Sequence, residues 1–453
     1  MGILNLKGKR VTVVGLARSG FAASKLLVKL GAQVIASDRS PAEGIKVDMA
    51  YLQYLGVRLE LGGHRPETFL EADLIVLSPG VDPRHPLLLK ARTLGIPIWS
   101  EVELAFRASS ARLIGVTGTN GKSTTVSLLG EILKEAGLQV VVAGNVGTAL
   151  SEVIPELGPE VLVIAELSSF QLEGIHAFRP LMSLLLNLAP DHLDRYASLE
   201  DYYAAKVRIF ENQGPTDYAI LNADDPEVLK RAHGIKAQPF HFSRHHEVLQ
   251  GCFLQGDLIF FSQGGVREGV ASWKDVRIQG VHNLENALAA VAVARLAGAE
   301  AASIRKALGQ FPGLEHRLEP VAEINGVSYI NDSKGTNVGA VIKSLESFSS
   351  PIVLIAGGRD KGEDFTPLAP LVKERVKAAV LIGEAKEKLR RALDGTCPLF
   401  EAGSMAEAVA LSSKLAQKGE IVLLSPACAS FDMFADFEER GRAFKKAVLE
   451  LRV

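Results

Sequence analysis

The chain is short of cysteine. Three occur in 453 residues, Cys252, Cys397 and Cys428, far apart and without metal-ligand spacing. An odd, sparse count excludes the disulfide framework of a secreted scaffold and suits a reducing cytosol, where three buried thiols are the plain expectation. Net charge is nearly absent too: 50 Lys+Arg face 52 Asp+Glu, for a formal balance of −2. That balance gives no electrostatic reason to expect a nucleic-acid or membrane partner, although it leaves room for local basic pockets. Long apolar runs are also missing. Val11–Val14 is too short for a signal peptide, and Leu181–Leu188 is far too short to span a bilayer. With no export or anchoring signal, the expectation is a soluble cytoplasmic protein. There is no repeat of a solenoid period and no low-complexity tract.

What is present is apolar residue in bulk, 47% of the chain, enough for several large cores. The length suggests about three domains. Short β-rich runs followed by Gly-rich turns recur at Val11–Gly15, Leu113–Val116, Val161–Ala165, Ile352–Ala356 and Ile421–Leu424. Between several of them lie helical spacings. After Lys122, apolar residues fall at Val126, Leu129, Leu133 and Ala136, and Gly137 can end the helix. Continuous apolar strands alternating with helices predict an α/β fold with parallel sheets covered on both faces. Three Rossmann-like blocks separate: residues 1–100, 101–313 and 314–453.

The strongest chemical motif is Val116-Thr-Gly-Thr-Asn-Gly-Lys-Ser-Thr124, between an expected strand and an expected helix. A phosphate cradle needs that placement. Glycines let backbone N–H groups turn inward, the helix N-terminus favours negative charge, and a lysine adds a fixed cation. Lys122 is expected to reach terminal phosphates and Ser123 to ligate Mg²⁺. The general pattern asks for Gly where Val116 stands, so the loop departs from it. A guanine-nucleotide switch is disfavoured, because no Asn-Lys-x-Asp segment occurs. Downstream, the strand Val161–Ala165 ends in Glu166, placed to reach Mg²⁺ beside the loop.

Several longer segments now combine. Gly118-Thr-Asn-Gly-Lys-Ser-Thr124 resembles the ATP loop of the Mur ligases and their folylpolyglutamate synthase relatives. Glu166-Leu-Ser-Ser-Phe-Gln-Leu-Glu173, Asp191-His-Leu-Asp-Arg-Tyr196, Asn331-Asp-Ser-Lys-Gly-Thr-Asn337 and Leu424-Ser-Pro-Ala-Cys-Ala-Ser-Phe-Asp432 are most similar to the D-glutamate-adding branch. The resemblance covers all three blocks in order. It implies a UDP-binding domain, a central ATPase domain and a C-terminal amino-acid-binding domain. The implied reaction joins D-glutamate to UDP-N-acetylmuramoyl-L-alanine, with ATP and Mg²⁺, through an acyl phosphate in peptidoglycan precursor synthesis. A monomer is the family expectation. The nearest alternative is another ligase of the superfamily, adding glutamate to folate or a different amino acid to the muramyl chain.

The resemblance also implies roles. Gly118, Thr119, Asn120, Gly121, Lys122, Ser123 and Thr124 cradle the nucleotide, with Asn283, Asn286 and Arg317 as further contacts and Asp332 and Lys334 closing from the C-terminal side. Ser123, Glu166 and His192 match metal ligands. Lys206, by its local sequence a solvated helix lysine, matches a carbamylated lysine that turns a cation into a metal-ligating anion. Asn145, in Ala143-Gly-Asn-Val-Gly147, matches a contact near the reacting carboxylate. Thr336, Lys361, Ser430 and Phe437 match the D-glutamate pocket. The N-terminal turn Val14-Gly-Leu-Ala-Arg-Ser-Gly20, with Asp38 ending the next strand, invites a dinucleotide reading, but its second glycine is replaced by Ala17. The resemblance places UDP there instead: Leu16, Ala17 and Arg18 at the diphosphate, Asp38 and Arg39 near uracil or ribose, Ser78 to Gly80 beneath.

Overall fold

Residues 4–451, except Val146, Leu193, Asp194 and Gln279, are described by the computed structural model. Val146, Leu193 and Asp194 belong to motifs quoted above and lie outside the described residues. Among the described residues, twenty strands fall into three sheets. The first holds β1 (Arg10–Val14), β2 (Gln33–Asp38), β3 (Arg58–Leu61), β4 (Leu74–Leu77) and β5 (Ile98–Ser100), all parallel, in the order β3-β2-β1-β4-β5. Strand order reverses beside β1, the switch point at which open α/β sheets leave a crevice beyond their carboxyl ends.

The central sheet has nine strands: β6 (Arg112–Thr117), β7 (Val140–Gly144), β8 (Leu162–Glu166), β9 (Met182–Leu185), β10 (Tyr218–Asn222), β11 (Gln238–Ser243), β12 (Gly251–Gln255), β13 (Leu258–Gln263) and β14 (Val266–Ser272). The third has β15 (Glu319–Ile324), β16 (Val327–Asn331), β17 (Ile352–Gly357), β18 (Val376–Ile382), β19 (Leu399–Glu401) and β20 (Ile421–Leu424), in the order β15-β16-β20-β17-β18-β19. Both are parallel in their interiors. Their edges are not: β13 and β14 on one sheet and β15 on the other pair antiparallel. The purely parallel expectation therefore fails at these edges. Two-residue turns cause the difference. Gly264-Gly265 and Asn325-Gly326 have φ of 60°, 79°, 54° and 76°, the left-handed pairs of tight hairpins. A connection that short can only return antiparallel.

The interior strands are buried end to end. Every residue of β8, β9, β17 and β20 is buried, as strands covered by helices on both faces must be. The helix Lys122–Glu135 follows β6 and buries Val126, Leu129 and Leu133, with Gly137 at φ 79° just past its end. Each such leucine contributes about 1.5–3 kcal/mol through burial. It packs on the helix Val281–Leu296, whose residues Ala287 to Ala294 are all fully buried. A helix apolar all round belongs inside a large domain. Its first turns carry Asn283 and Asn286, and Asn286 lies against Gly121 and Thr125 of the Gly-rich loop and its helix. The chain then enters the third sheet through His316 and Leu318, non-glycine residues at φ 65° and 43° on either side of Arg317. Such conformations cost about 1–3 kcal/mol each, so the turn aiming Arg317 is held by its surroundings. Among the described residues, no helix is long and apolar enough to cross a membrane.

Candidate active site

The Gly-rich loop leaves β6 and enters its helix through Gly121, whose φ is 84°. A Cβ there would also lie 2.2 Å from Asn286 Oδ1, so both backbone and space require glycine. The loop is cross-braced: Asn120 N donates to Asn187 Oδ1 (2.8 Å) and Thr119 Oγ1 to the Ala189 carbonyl (3.1 Å). Asn286 Oδ1 accepts from Thr125 Oγ1 (3.2 Å), and its amide donates to Asn283 Oδ1 (3.4 Å), placing the pair on one helix face.

Cations converge on this loop. Lys122 Nζ folds back to donate to the carbonyls of Gly118 and Thr119, each at 2.8 Å. Lys206 reaches the same Gly118 carbonyl at 2.8 Å from the helix Leu199–Val207. It is 2% exposed, so its local look of a solvated lysine is corrected by packing. Burial first, and then the neighbouring Lys122 charge, hold the Lys206 ammonium well below its usual range. Burial also lowers Lys122. Arg317 Nη2 donates to Ser123 Oγ at 2.9 Å, across the boundary between the second and third sheets.

Against these cations stands Glu166 at the end of β8, 2% exposed. Its Oε1 accepts from Asn145 Nδ2 at 3.0 Å, and its Oε2 has no hydrogen-bond partner. An orphaned buried carboxylate oxygen at the strand end beside the loop strand suits a hard divalent cation. His192 sits at φ 55° with its ring edge-on to Phe170, centroids 5.0 Å apart. Burial lowers its pKa, favouring the neutral imidazole that metals bind. Elsewhere, Glu315, His316 and Glu319 bring ligand atoms within 4.8 Å, but Lys445 Nζ already bonds both carboxylates.

A cavity of about 570 Å³ opens between the second and third sheets, lined by Gly121, Thr124, Asn286, Arg317, Asp332 and Lys334 among others. Asn120 lines it too; Asn283 does not. Asp332 is held by the hydroxyls of Ser344 and Ser425, both at 2.7 Å, and burial pushes its pKa up to about 6. Lys334 Nζ rests 3.6 Å from the centroid of the Phe437 ring. Burial, then the charges of Arg317 and Lys122, push its pKa down to about 8.

Of the four residues matched to the amino-acid pocket, none lines that cavity. Phe437 is the platform under Lys334. Ser430 is buried, Thr336 is half-buried, and Lys361 Nζ pairs with Asp191 Oδ1 at 2.7 Å. Asp191 lies inside a motif the sequence reading quoted without singling it out. Arg440 escapes sequence reading altogether. It is 1% exposed and donates to Ser333 and to the carbonyls of Cys428 and Ala429, tying the loop after β20 to the segment carrying Lys334.

A second cavity, about 550 Å³, occupies the crevice of the first sheet. Leu16, Ala17, Arg18, Asp38, Arg39, Ser78, Gly80 and Asn145 all line it, as do His64 and His85, which sequence reading passed over. Asp38 accepts from the backbone N–H of Leu16 (2.6 Å) and Ser40 (2.8 Å). Burial opposes its ionisation, but these donors outweigh it and hold the carboxyl below its usual range. Ser78 Oγ donates to the Gly15 carbonyl at 2.7 Å. Arg18 Nη2 donates to the Asn145 carbonyl at 2.9 Å, so Asn145 joins this crevice to Glu166.

Loop, cations and orphaned carboxylate define the class, a P-loop nucleotide-binding protein with a second ligand crevice. Comparison with known proteins narrows it. The Mur ligase MurD-like N-terminal domain matches residues 9–100, the Mur ligase middle domain 116–294, and the Mur ligase glutamate ligase domain 316–428. The chain is 47% identical to the UDP-N-acetylmuramoylalanine--D-glutamate ligase of Geotalea daltonii, over 99% of each chain. It is 46% identical to the enzyme of that name from Pelotomaculum thermopropionicum, over 98% of each. Among solved structures it resembles the MurF ligase of Thermotoga maritima in complex with ADP (TM-score 0.62, 18% identity, 99% and 96% covered). It also resembles the UDP-N-acetylmuramate-alanine ligase MurC of the same organism (TM-score 0.60, 20% identity, 98% and 100% covered). The chain belongs to the Mur ligase family.

Proposed function

We propose that the chain is a cytoplasmic, monomeric, ATP-dependent ligase that adds D-glutamate to UDP-N-acetylmuramoyl-L-alanine in peptidoglycan precursor synthesis. Near-half identity along the whole length to relatives bearing that name supports the substrates. The observation that carries the chemistry is Asn145. Its side-chain amide holds Glu166 and its carbonyl holds Arg18, so a wall of the first-sheet crevice also supports the acid beside the phosphate loop. A nucleotide sugar held in the first-sheet crevice, with residues 1–100 as its domain, would end beside the phosphate loop of residues 101–313.

A carboxylate is a poor acylating agent because its leaving group would be oxide. Transfer of the γ-phosphoryl group of ATP makes an acyl phosphate, and the amine of D-glutamate then attacks the carbonyl carbon and expels phosphate. Both steps crowd anions together, which is what Lys122, Arg317 and Lys334 are placed to offset. Ser123, Glu166 and His192 would hold Mg²⁺, with a carbamylated Lys206 toward a second ion. Bound there, magnesium neutralises phosphate oxygens. The lowered pKa of Lys206 supports that modification, since only a neutral amine adds CO₂, releasing a proton as the carbamate forms. Residues 314–453 supply Asp332 and Lys334 to the nucleotide and Thr336, Lys361, Ser430 and Phe437 to the amino acid. Closure of that domain would exclude water, which otherwise hydrolyses the acyl phosphate.

Phosphate release from ATP tests the proposal, with UDP-N-acetylmuramoyl-L-alanine present and each glutamate enantiomer added separately. Release requiring both the nucleotide sugar and D-glutamate is expected. Release driven by a folate acceptor, or by another amino acid, would move the substrate assignment and end this one.

A further inference from the structure

Lys361 is the residue to which the proposed function gives a carboxylate of the incoming amino acid. In this structure it already holds one. Its ammonium lies 2.7 Å from Asp191 Oδ1, with side-chain exposures of 18% and 9% for the lysine and the aspartate. The pair crosses between domains, from the loop after β9 to the loop after β17. An ammonium largely withdrawn from water, with a carboxylate at that distance, cannot give a second carboxylate its full attraction, and two carboxylates sharing it repel each other.

Asp191 can release Lys361 without being stranded. Its Oδ1 accepts the His192 backbone N–H at 2.8 Å, and its Oδ2 faces the Asn337 amide at 3.4 Å. His192 Nε2 is 3.8 Å from Oδ2. The charges of Lys122 and Lys206 belong to the same neighbourhood: Asp191 acts on the pKa of each. Asn337 itself stays fixed, because its Oδ1 caps the helix Val338–Glu346 at Ala340 N (2.8 Å).

We propose that Asp191 is an internal stand-in for the amino acid's carboxylate: it holds Lys361 in place while the amino-acid site is empty, and the amino acid binds by exchange with it. Asp191 is thus a positioning residue acting through Lys361, and it weakens amino-acid binding in return for a pre-aimed lysine. The inference rests on the proposed assignment of D-glutamate to this cleft.

The test is calorimetric titration of D-glutamate into the metal-free full-length chain, for wild type and Asp191→Asn, with KM for D-glutamate measured alongside. The variant should bind roughly tenfold tighter or better, with a lower KM and no rise in kcat, since one charge-assisted hydrogen bond no longer competes. Lys361→Met should erase the difference between the two. A merely structural Asp191 would make every affinity worse, so binding no tighter than wild type overturns the proposal. If Asp191→Asn does not fold, a wild-type crystal structure with nucleotide sugar and D-glutamate decides. The Lys361–Asp191 pair should be open; a pair still closed beside bound D-glutamate overturns the exchange. Absence of any D-glutamate-dependent turnover in wild type would be a different failure, that of the assigned function.

Discussion

The two cavities differ little in volume, about 570 Å³ against about 550 Å³, and greatly in what surrounds them. Around the phosphate loop, Lys122, Lys206, Lys334 and Arg317 crowd Glu166, a carboxylate that keeps an unbonded oxygen, with Asp191 and Asp332 close by. The first-sheet crevice balances its charges: the Asp38 carboxylate is spent on backbone N–H groups, and Arg18 reaches a carbonyl. One region gathers buried cations, their hydrogen bonds going to neutral oxygens, beside an unbonded carboxylate oxygen; the other is satisfied as it stands. Unsatisfied charge is useful where charge develops during a reaction, and it is wasted where a ligand need only be gripped. The contrast implies that substitutions around the loop act on kcat, and those in the crevice on KM.

The sharpest break would come at Lys122. Lys122→Ala should lower kcat by about 10³-fold while the KM for the nucleotide sugar holds, because the proposed reaction would lose a cation offsetting the charge of the transferring phosphoryl group. A change confined to KM would erase the distinction between the cavities. Glu166→Gln keeps an acceptor for Asn145 and removes the negative charge. It should cost about 10²-fold in kcat and raise the magnesium concentration needed for half-maximal rate. Steady-state kinetics across a magnesium series would check both parts; an unchanged metal requirement would place the metal elsewhere.

The crevice should respond in the other parameter. Arg18→Met is expected to raise the KM for the nucleotide sugar roughly tenfold with kcat nearly unchanged, the mark of an interaction made equally in ground and transition states. Initial rates at varied nucleotide sugar would show it. A fall in kcat instead would mean that the Arg18–Asn145 contact positions Glu166, and the two regions would have to be treated as one.

Legibility in the sequence follows the same division. The loop, its helix and Glu166 at a strand end could be read because their chemistry is local: a strand, a turn and a helix within one short segment. Asp38 could be placed by the same strand-end logic, Ser78 only through the resemblance. The hairpin edges were also there to be read, since Asn325-Gly326 and Gly264-Gly265 are strong two-residue turn signals. Lys206 and Lys361 stood out only through the family resemblance, not through their local sequence. Tyr203-Ala-Ala-Lys-Val-Arg208 and Arg359-Asp-Lys-Gly-Glu-Asp364 look like solvated surface, and only contacts with Gly118 and Asp191, distant in sequence, bury their lysines. Arg440, in a helix that opens Phe-Glu-Glu-Arg-Gly-Arg, carries no local sign of being fully buried.

The smallest effect is the most diagnostic, because the crowding of cations around the loop predicts two pH dependences of opposite sign. The pKa of Lys334 is pushed down to about 8 by burial and by its cationic neighbours. On the proposed function, nucleotide phosphates in the adjoining cavity would favour the ammonium, so nucleotide binding above pH 8 would take up a proton. ADP affinity should therefore hold below pH 8 and weaken severalfold by pH 9, with Lys334→Met flattening the curve. Folding runs the other way. In the unfolded chain this lysine keeps its ordinary pKa near 10.4. Between about pH 8 and that value the unfolded state binds more protons, and this group's contribution to stability rises with pH. Calorimetric titration of ADP and denaturant unfolding across the same buffers measure the two slopes, each as a difference between wild type and Lys334→Met. Slopes of one sign would mean that Lys334 does not face the nucleotide, and that the cation crowd divides between the loop and some other task.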